Sequence, residues 1–309
     1  MGMHTIWRGM WSTVLVLGVG VVSAKADSWA APTDREYRSA SGEYVFKVQV
    51  AGPRDAGRRP CRGGLSRRRA GQSRPLWERA LVNRVSPVRA LVHDSGRFVV
   101  TFDEWHHVGT NPLVIYGGDG ELVAHLSLAD LGLENHPRIA RSVSSYWWND
   151  HAVMLFGPVA GGDPAPWRRK LEETLFIRLY WGEVLAIDLA TGKRLSADDS
   201  RGLSAADARS LATETATFLD RTYRRLAHQY LREENFFRPD PTYEGVQGIL
   251  LAMQLKLREP LPLLPRIAAT ERFKSWAAPG PGRSQDARYS NLKALAEAAI
   301  HEIETAAER

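Results

Sequence analysis

The chain has 309 residues, a formal net charge of +6, 44% hydrophobic residues, 25% charged residues and one cysteine. That balance excludes a disordered chain, a collagen-like repeat and a disulfide-stapled miniprotein, and the length suffices for two domains with separate cores. The positive charge is too localised for a general nucleic-acid surface, because most of it sits between residues 54 and 74.

Residues 1–8 carry Arg8, residues 10–22 (MWSTVLVLGVGVV) carry no charge, and Ala24-Lys25-Ala26 places small residues where a signal peptidase reads them. This is the layout of a secretory signal peptide over residues 1–26, with cleavage expected before Asp27. A membrane anchor would need about 20 apolar residues. No cysteine lies in the first 26 residues to take a lipid. No later stretch is long and apolar enough to span a bilayer, so the mature chain is expected to be periplasmic or secreted, without a membrane span.

Residues 27–195 read as an all-β domain. Ser41-Gly42 is a turn signal, and residues 43–50 alternate as a strand. Residues 54–74 then break the pattern: eight arginines face one aspartate, a net +7, Leu65 is the only large aliphatic residue, and the sole cysteine, Cys61, falls here. Three readings stay open. Like-charge runs are usually solvated loops, and some are polyanion-binding arms. The third reading is a local reading-frame error: a shifted frame in a GC-rich coding sequence gives Arg, Gly, Pro, Ala, Ser and Cys at the expense of large aliphatics, and a strand would then be missing from the text. Alternation resumes over residues 76–82.

A second unit follows. Asp94-Ser95-Gly96-Arg97 precedes the strand 98–102, residues 113–116 form the next strand, and Gly117-Gly118-Asp119-Gly120 supplies the positive φ of a tight hairpin before strand 122–126. A third unit starts at Asn149-Asp150-His151 with strand 152–156, then strands 175–180 and 184–189 and the turn Ala190-Thr191-Gly192-Lys193. The three turns recur at about 55 residues, near the longer propeller-type periods.

The recurring pattern, above all "RALVHDSGRFVVTFDEWHHVG" and "LVIYGGDGELVAHLSL", resembles β-propeller blades and is similar to a group of uncharacterised secreted bacterial proteins. The resemblance covers residues 27–195 and implies no activity. A propeller closes with four or more blades, so three units imply an incomplete ring or a sandwich of hairpins.

From residue 202 the period changes to that of helices, giving a helical domain over residues 196–309 and an α+β multidomain chain. Ser204 with Asp207 is a helix-start pair. Leu211, Phe218, Leu219, Leu226 and Tyr230 share one face. Tyr243, Val246, Leu250, Met253 and Leu257 form a second stripe, ended by Pro260 and Pro262. Leu292, Leu295, Ala299 and Ile303 form a third. "GILLAMQLKLREPLPLLPRI" resembles a HEAT-like helical hairpin. Residues 277–284 (AAPGPGRS) read as a loop.

Candidate chemistry centres on Asp103, Glu104, His106 and His107, directly after a strand, where loops commonly carry function. Two imidazoles and two carboxylates could ligate a metal, but adjacent strand residues face opposite ways; the expectation is a hydrogen-bonded structural loop, with no metal and no cofactor. Tyr146, Trp147, Trp148, Trp167, Tyr180 and Trp181 make the β domain aromatic, and Trp148 and Trp181 could bind a sugar ring. On a strand Trp147 and Trp148 would face opposite ways, one to the core and one to a sheet face. Asp198-Asp199 lacks the spaced oxygens of a calcium loop. No nucleophile elbow, H-E-x-x-H or phosphate loop is present, and no catalytic residue is assigned. The reading is a non-enzymatic extracytoplasmic recognition or scaffold protein, meeting a protein or polysaccharide and no nucleic acid. The alternatives are a metal-dependent hydrolase at residues 103–107 and a carbohydrate-binding module.

Overall fold

The computed structural model describes residues 31–51, 60–69, 71–139, 147–148, 151–196, 199, 202–237, 241–274 and 291–308. The expected signal peptide, Arg54, Arg58 and Arg59, Tyr146, the Asn149-Asp150 turn, Asp198 and the loop 277–284 lie outside the described residues.

Three antiparallel sheets succeed one another along the chain. The first is a meander of β1 (Arg35–Arg38), β2 (Tyr44–Gln49), β3 (Arg62–Arg69) and β4 (Gln72–Ala80). The second repeats it with β5 (Pro87–Val92), β6 (Phe98–Glu104), β7 (Leu113–Gly117) and β8 (Leu122–Leu126). The third comprises β9 (Val153–Phe156), β10 (Thr174–Arg178) and β11 (Val184–Asp188). Between β9 and β10 a short helix, α1 (Pro166–Glu172), begins with proline at its first turn, where the missing N–H has no intrahelical acceptor to lose. The all-β reading of this stretch did not anticipate it.

The turns carry the repeat. Gly42 (φ +72°) donates to Ser39 O while Ser39 N donates to Tyr44 O, and Gly96 (φ +70°) and His93 make the same pair of bonds ahead of β6. The β7–β8 turn is closed by Gly117 N to Glu121 O and Gly120 N to Gly117 O; the β10–β11 turn by Leu179 N to Glu183 O and Gly182 N to Leu179 O. Gly120 and Gly182 both take positive φ, +87° and +97°, a conformation that a side chain would strain. The equivalence aligns β9, β10 and β11 with the second to fourth strands of the other sheets.

The sheets stack face to face, in the manner of neighbouring propeller blades. Phe46, Leu65 and Trp77 of the first sheet meet Val92, Val99, Val114 and Tyr116 of the second in one core. Phe98, Val100, Phe102 and Ile115 meet Met154, Leu175, Ile177 and Ile187 of the third in another. Every residue of β6 is therefore buried, because alternate side chains enter different cores. The outer face of the first sheet is polar: Lys47 pairs with Glu36 across the strands at 2.8 Å and Arg62 with Glu78 at 2.8 Å. The stack ends there in solvated charge.

The described part of the arginine-rich segment is not a solvated loop. Its described part holds β3 and the start of β4, joined at a tight turn with Gly71 at φ +80°. Alternation explains how so basic a segment becomes a strand. Cys61, Gly63 and Leu65 point inward, and Arg62, Arg67, Arg68 and Arg69 are exposed. Gly63 leaves room that Phe46 and Leu81 fill; a Cβ there would lie 2.6 Å from both. Arg67 reaches Glu43 at 2.6 Å. The apolar demand of this strand is met from its neighbours, so composition alone misjudges it.

Four helices follow, α2 (Ala205–Tyr230), α3 (Tyr243–Leu255), α4 (Leu264–Ala268) and α5 (Leu292–Ala307), and α2 and α3 pack on the third sheet. The start of α2 is capped as its sequence predicts, Asp207 N donating to Ser204 Oγ at 3.1 Å. α3 ends before the prolines, at Lys256 in the left-handed region with φ +53°. Val153 of β9 shares a core with Tyr223, Val246, Ile249, Leu295, Ala299 and Ile303, and Phe176 packs on Phe218. Polar latches fix the interface: Gln247 Nε2 donates to Ala152 O at 3.0 Å, Arg178 Nε to Gln254 Oε1 at 2.8 Å, and Gln254 Nε2 to Tyr180 O at 2.8 Å. A buried amide or guanidinium without such partners would cost several kcal/mol, so each latch also fixes register between helix and sheet.

Candidate functional site

Asp103 and Glu104 end β6, and both are buried. Glu104 Oε1 accepts from Val85 N at 3.0 Å and Ser86 N at 3.2 Å. Its Oε2 accepts from Arg84 N at 2.8 Å and Asn111 Nδ2 at 3.0 Å. This carboxylate organises two loops at once. Asp103, at φ +57°, accepts from Gly109 N at 2.7 Å and Glu104 N at 3.2 Å through Oδ1, and from Trp147 N at 3.4 Å through Oδ2. Burial pushes its carboxyl up to about 7, against those three amides. His106, at φ +64°, stacks obliquely on Trp105 with centroids 5.4 Å apart; His107 is exposed, 6.3 Å from the His106 ring. The carboxylates thus turn inward to backbone amides, while His106 is half-buried and His107 exposed. Among the described residues no three His, Cys, Asp or Glu side chains group as a metal site.

The tryptophans differ from the strand expectation. Trp147 and Trp148 lie in a turn, so they need not face opposite ways, and both enter the core between the second and third sheets. Trp147 Nε1 donates to Pro112 O at 2.9 Å, and Trp148 meets Phe102 edge-on. Trp148 offers no open ring face for a sugar. Trp181 is half-buried, stacked on His136 at 4.6 Å with its Nε1 donating to Glu183 Oε2 at 3.0 Å. Asp103 and Trp148 thus lie near each other through Trp147 and Phe102, but both are buried, and of the residues singled out His107 alone is exposed.

A cleft of about 420 Å³ does gather residues from the whole fold. Arg38 and Ala40 come from the end of β1 and its turn, Leu91 to Asp94 from the end of β5, Met154 to Val159 from β9 and its exit, and Phe218, Thr222 and Arg225 from α2. Spacings of four and three place the last three on one stripe of the helix. Pockets of this size, apolar with a few converging polar groups, are where small ligands bind.

Two walls of the cleft are tied by hydrogen bonds. The His93 imidazole is wholly buried; its Nε2 faces the Glu172 backbone carbonyl at 3.1 Å, and its Nδ1 faces Ser95 N at 3.1 Å and Ser95 Oγ at 2.7 Å. A carbonyl only accepts and a backbone N–H only donates, so the proton sits on Nε2 and Nδ1 accepts. Burial holds this histidine below the ordinary imidazole range, opposed by the Glu172 carbonyl. Asp94 Oδ1 accepts from Ser41 N at 2.7 Å, tying the turn of the first sheet to that of the second. Sequence reasoning missed this cleft because its residues are spread over nearly 190 positions and no motif joins them. The repeated Gly42 and Gly96 turns, which carry its walls, were the available signal.

No protein-family profile matches the chain, and no curated protein matches it. Solved structures similar to it include the Pseudomonas aeruginosa periplasmic gluconolactonase PpgL, at 14% identity and TM-score 0.29, over 52% of this chain. The match spans 37% of the length of that chain. A crystal structure of part of HIRA aligns at 10% identity and TM-score 0.25, over 89% of this chain and 90% of that one.

Proposed function

We propose that the chain is an exported, non-enzymatic recognition protein whose ligand site is the cleft between the three sheets and α2. The observation that carries this reading is the convergence itself: one cleft takes a wall from every sheet and from the helical layer. Asp103 and Glu104, the carboxylates a hydrolase would need, are committed to backbone amides instead. Export rests on the signal-like residues 1–26. No helix among the described residues is long and apolar enough to cross a membrane. Within the helical region, α2 frames the cleft through Phe218, Thr222 and Arg225.

Thr222→Trp tests the site, because it fills the cleft from a half-buried helix position without touching the sheet cores. In a thermal-shift screen of small molecules, ligands that raise the Tm of the wild type are expected to leave the variant unmoved, since binding to the native state alone adds stability by mass action. A hydrolytic activity that survives Thr222→Trp and is lost in Glu104→Gln would move the function to the β6 loop.

A further inference from the structure

The lining of the cleft states the chemistry of its ligand, and this step rests on the reading of the cleft as the binding site. Leu91, Phe156 and Phe218 give it an apolar interior. Its charges are Arg38, Arg225 and Asp94. Asp94 is anchored by the Ser41 amide on Oδ1 at 2.7 Å, so two cations and one anion leave the cleft net positive. Arg38 makes only a 3.5 Å contact with Glu36 at a site more than half exposed. Arg225 makes no hydrogen bond or ion pair with any described residue, although its helical neighbour Arg224 is paired with Asp220 at 2.9 Å. One guanidinium comes from the first sheet and the other from α2, and both line the same cleft. A guanidinium fork matches a carboxylate or phosphoryl group, two bonds at a time.

The geometry points to a small amphiphilic anion as the ligand, its acid group held by Arg38 and Arg225 and its apolar body against Phe156 and Phe218. A neutral amphiphile would leave both cations unused. A bare inorganic anion would leave the apolar walls uncovered.

Calorimetric titration of the full chain with decanoate, with decanol as the uncharged body and with inorganic phosphate as the bare anion, tests this. Decanoate is expected to bind at least tenfold tighter than either. Arg225→Gln and Arg38→Gln are each expected to weaken decanoate at least fivefold while leaving decanol unchanged; both positions are exposed, so folding is not at stake. Added salt should weaken decanoate alone. Equal affinity for decanoate and decanol, with both abolished by Thr222→Trp, would overturn the anion while preserving the cleft as the site. Decanoate binding that Thr222→Trp leaves intact would overturn the cleft as well. Binding of phosphate as tight as decanoate would overturn the amphiphile.

Discussion

The His93 imidazole and the backbone carbonyl of Glu172 are 3.1 Å apart in space and 79 residues apart in sequence. This bond ties the turn between β5 and β6 to the end of α1, so the second sheet grips the helix that leads into the third. Phe98 and Phe156 hold the ring edgewise, at 6.0 and 4.9 Å. A neutral imidazole is therefore one of the ties that hold this wall of the cleft.

A neutral requirement makes stability depend on pH. The unfolded chain takes up a proton at the ordinary value of 6.5, while burial keeps the native ring neutral to lower pH. Between those two values the unfolded state holds more protons, so stability rises with pH. The contribution is fully present above 6.5 and is lost as pH falls through that value towards the native one. Chemical denaturation from pH 4.5 to 8 should show this acid limb, and His93→Gln, whose amide can still donate to the Glu172 carbonyl, should flatten it. An unchanged limb in the variant would remove His93 from the argument.

Asp103 titrates with the opposite sign. Its carboxyl is raised from 3.8 to about 7, so the native chain keeps a proton that the unfolded chain has released. Its contribution is greatest below about 4, declines as pH climbs towards 7, and is level above. Asp103→Asn is isosteric, accepts φ +57° with little strain, and still accepts from the Gly109 amide. It should remove the decline and equal or exceed the wild type in stability at pH 8. A variant much less stable at every pH would mean that the Asp103 carboxylate is charged in the native state and held by its three amides.

Arg97 links the same turn to α1 from outside. Its Nη1 reaches Glu173 at 2.8 Å and its Nη2 reaches Glu172 at 2.9 Å. The guanidinium is 44% exposed, but the Glu172 side chain is only 8% exposed, so the loss falls on the buried partner. Arg97→Ala should cost about 1–3 kcal/mol, the range for charge-assisted bonds to a group then left unsatisfied, reduced by solvent at the arginine end. Arg97→Lys should recover less than half, since one ammonium cannot span both carboxylates. The double variant Arg97→Ala/Glu172→Gln, measured by urea melts, should cost less than Arg97→Ala alone. Additivity of the two changes would dissolve the pairing.

How much of this was legible in the sequence follows from where the signals are local. The strands of the second and third sheets other than β5 announced themselves, because period-2 alternation and glycine turns act over a few residues. The start of α2 was equally plain, since Ser204 and Asp207 form their cap alone. β1 was not read, as its four residues, Arg-Glu-Tyr-Arg, are exposed or half-buried and owe their strand to Lys47 and Phe46 opposite. Trp147 and Trp148 were misplaced because strand geometry was assumed where the chain turns. Asp103 and Glu104 stand out in the sequence as carboxylates beside two histidines, but sequence does not show that their partners include backbone amides 6 to 44 residues away. The cleft is a product of packing between turns, and no local pattern encodes that.

The hairpin of β3 and β4 gives the sharpest test, because its composition argues against the structure it takes. A solvated insertion could be replaced by a short Gly/Ser linker without loss. Here Leu65 is 1% exposed and Trp77 9%, in the core shared with the second sheet. Leu65→Ala should then cost about 2–5 kcal/mol, as for aliphatic truncation in a closed core. Gly63→Ala should cost about 1–3 kcal/mol, since its methyl group would overlap Phe46 and Leu81. Arg68→Gln and Arg69→Gln, on the exposed side, should stay within about 0.5 kcal/mol. Cys61 supplies an independent readout. It is wholly buried, and burial pushes its thiol up to about 12, so a maleimide should label it only once denaturant opens the sheet. Rapid labelling in native buffer, together with a neutral Leu65→Ala, would return residues 61–69 to the status of a solvated loop. Slow labelling with a costly Leu65→Ala would establish that eight arginines within 21 residues still leave enough inward positions to build a strand.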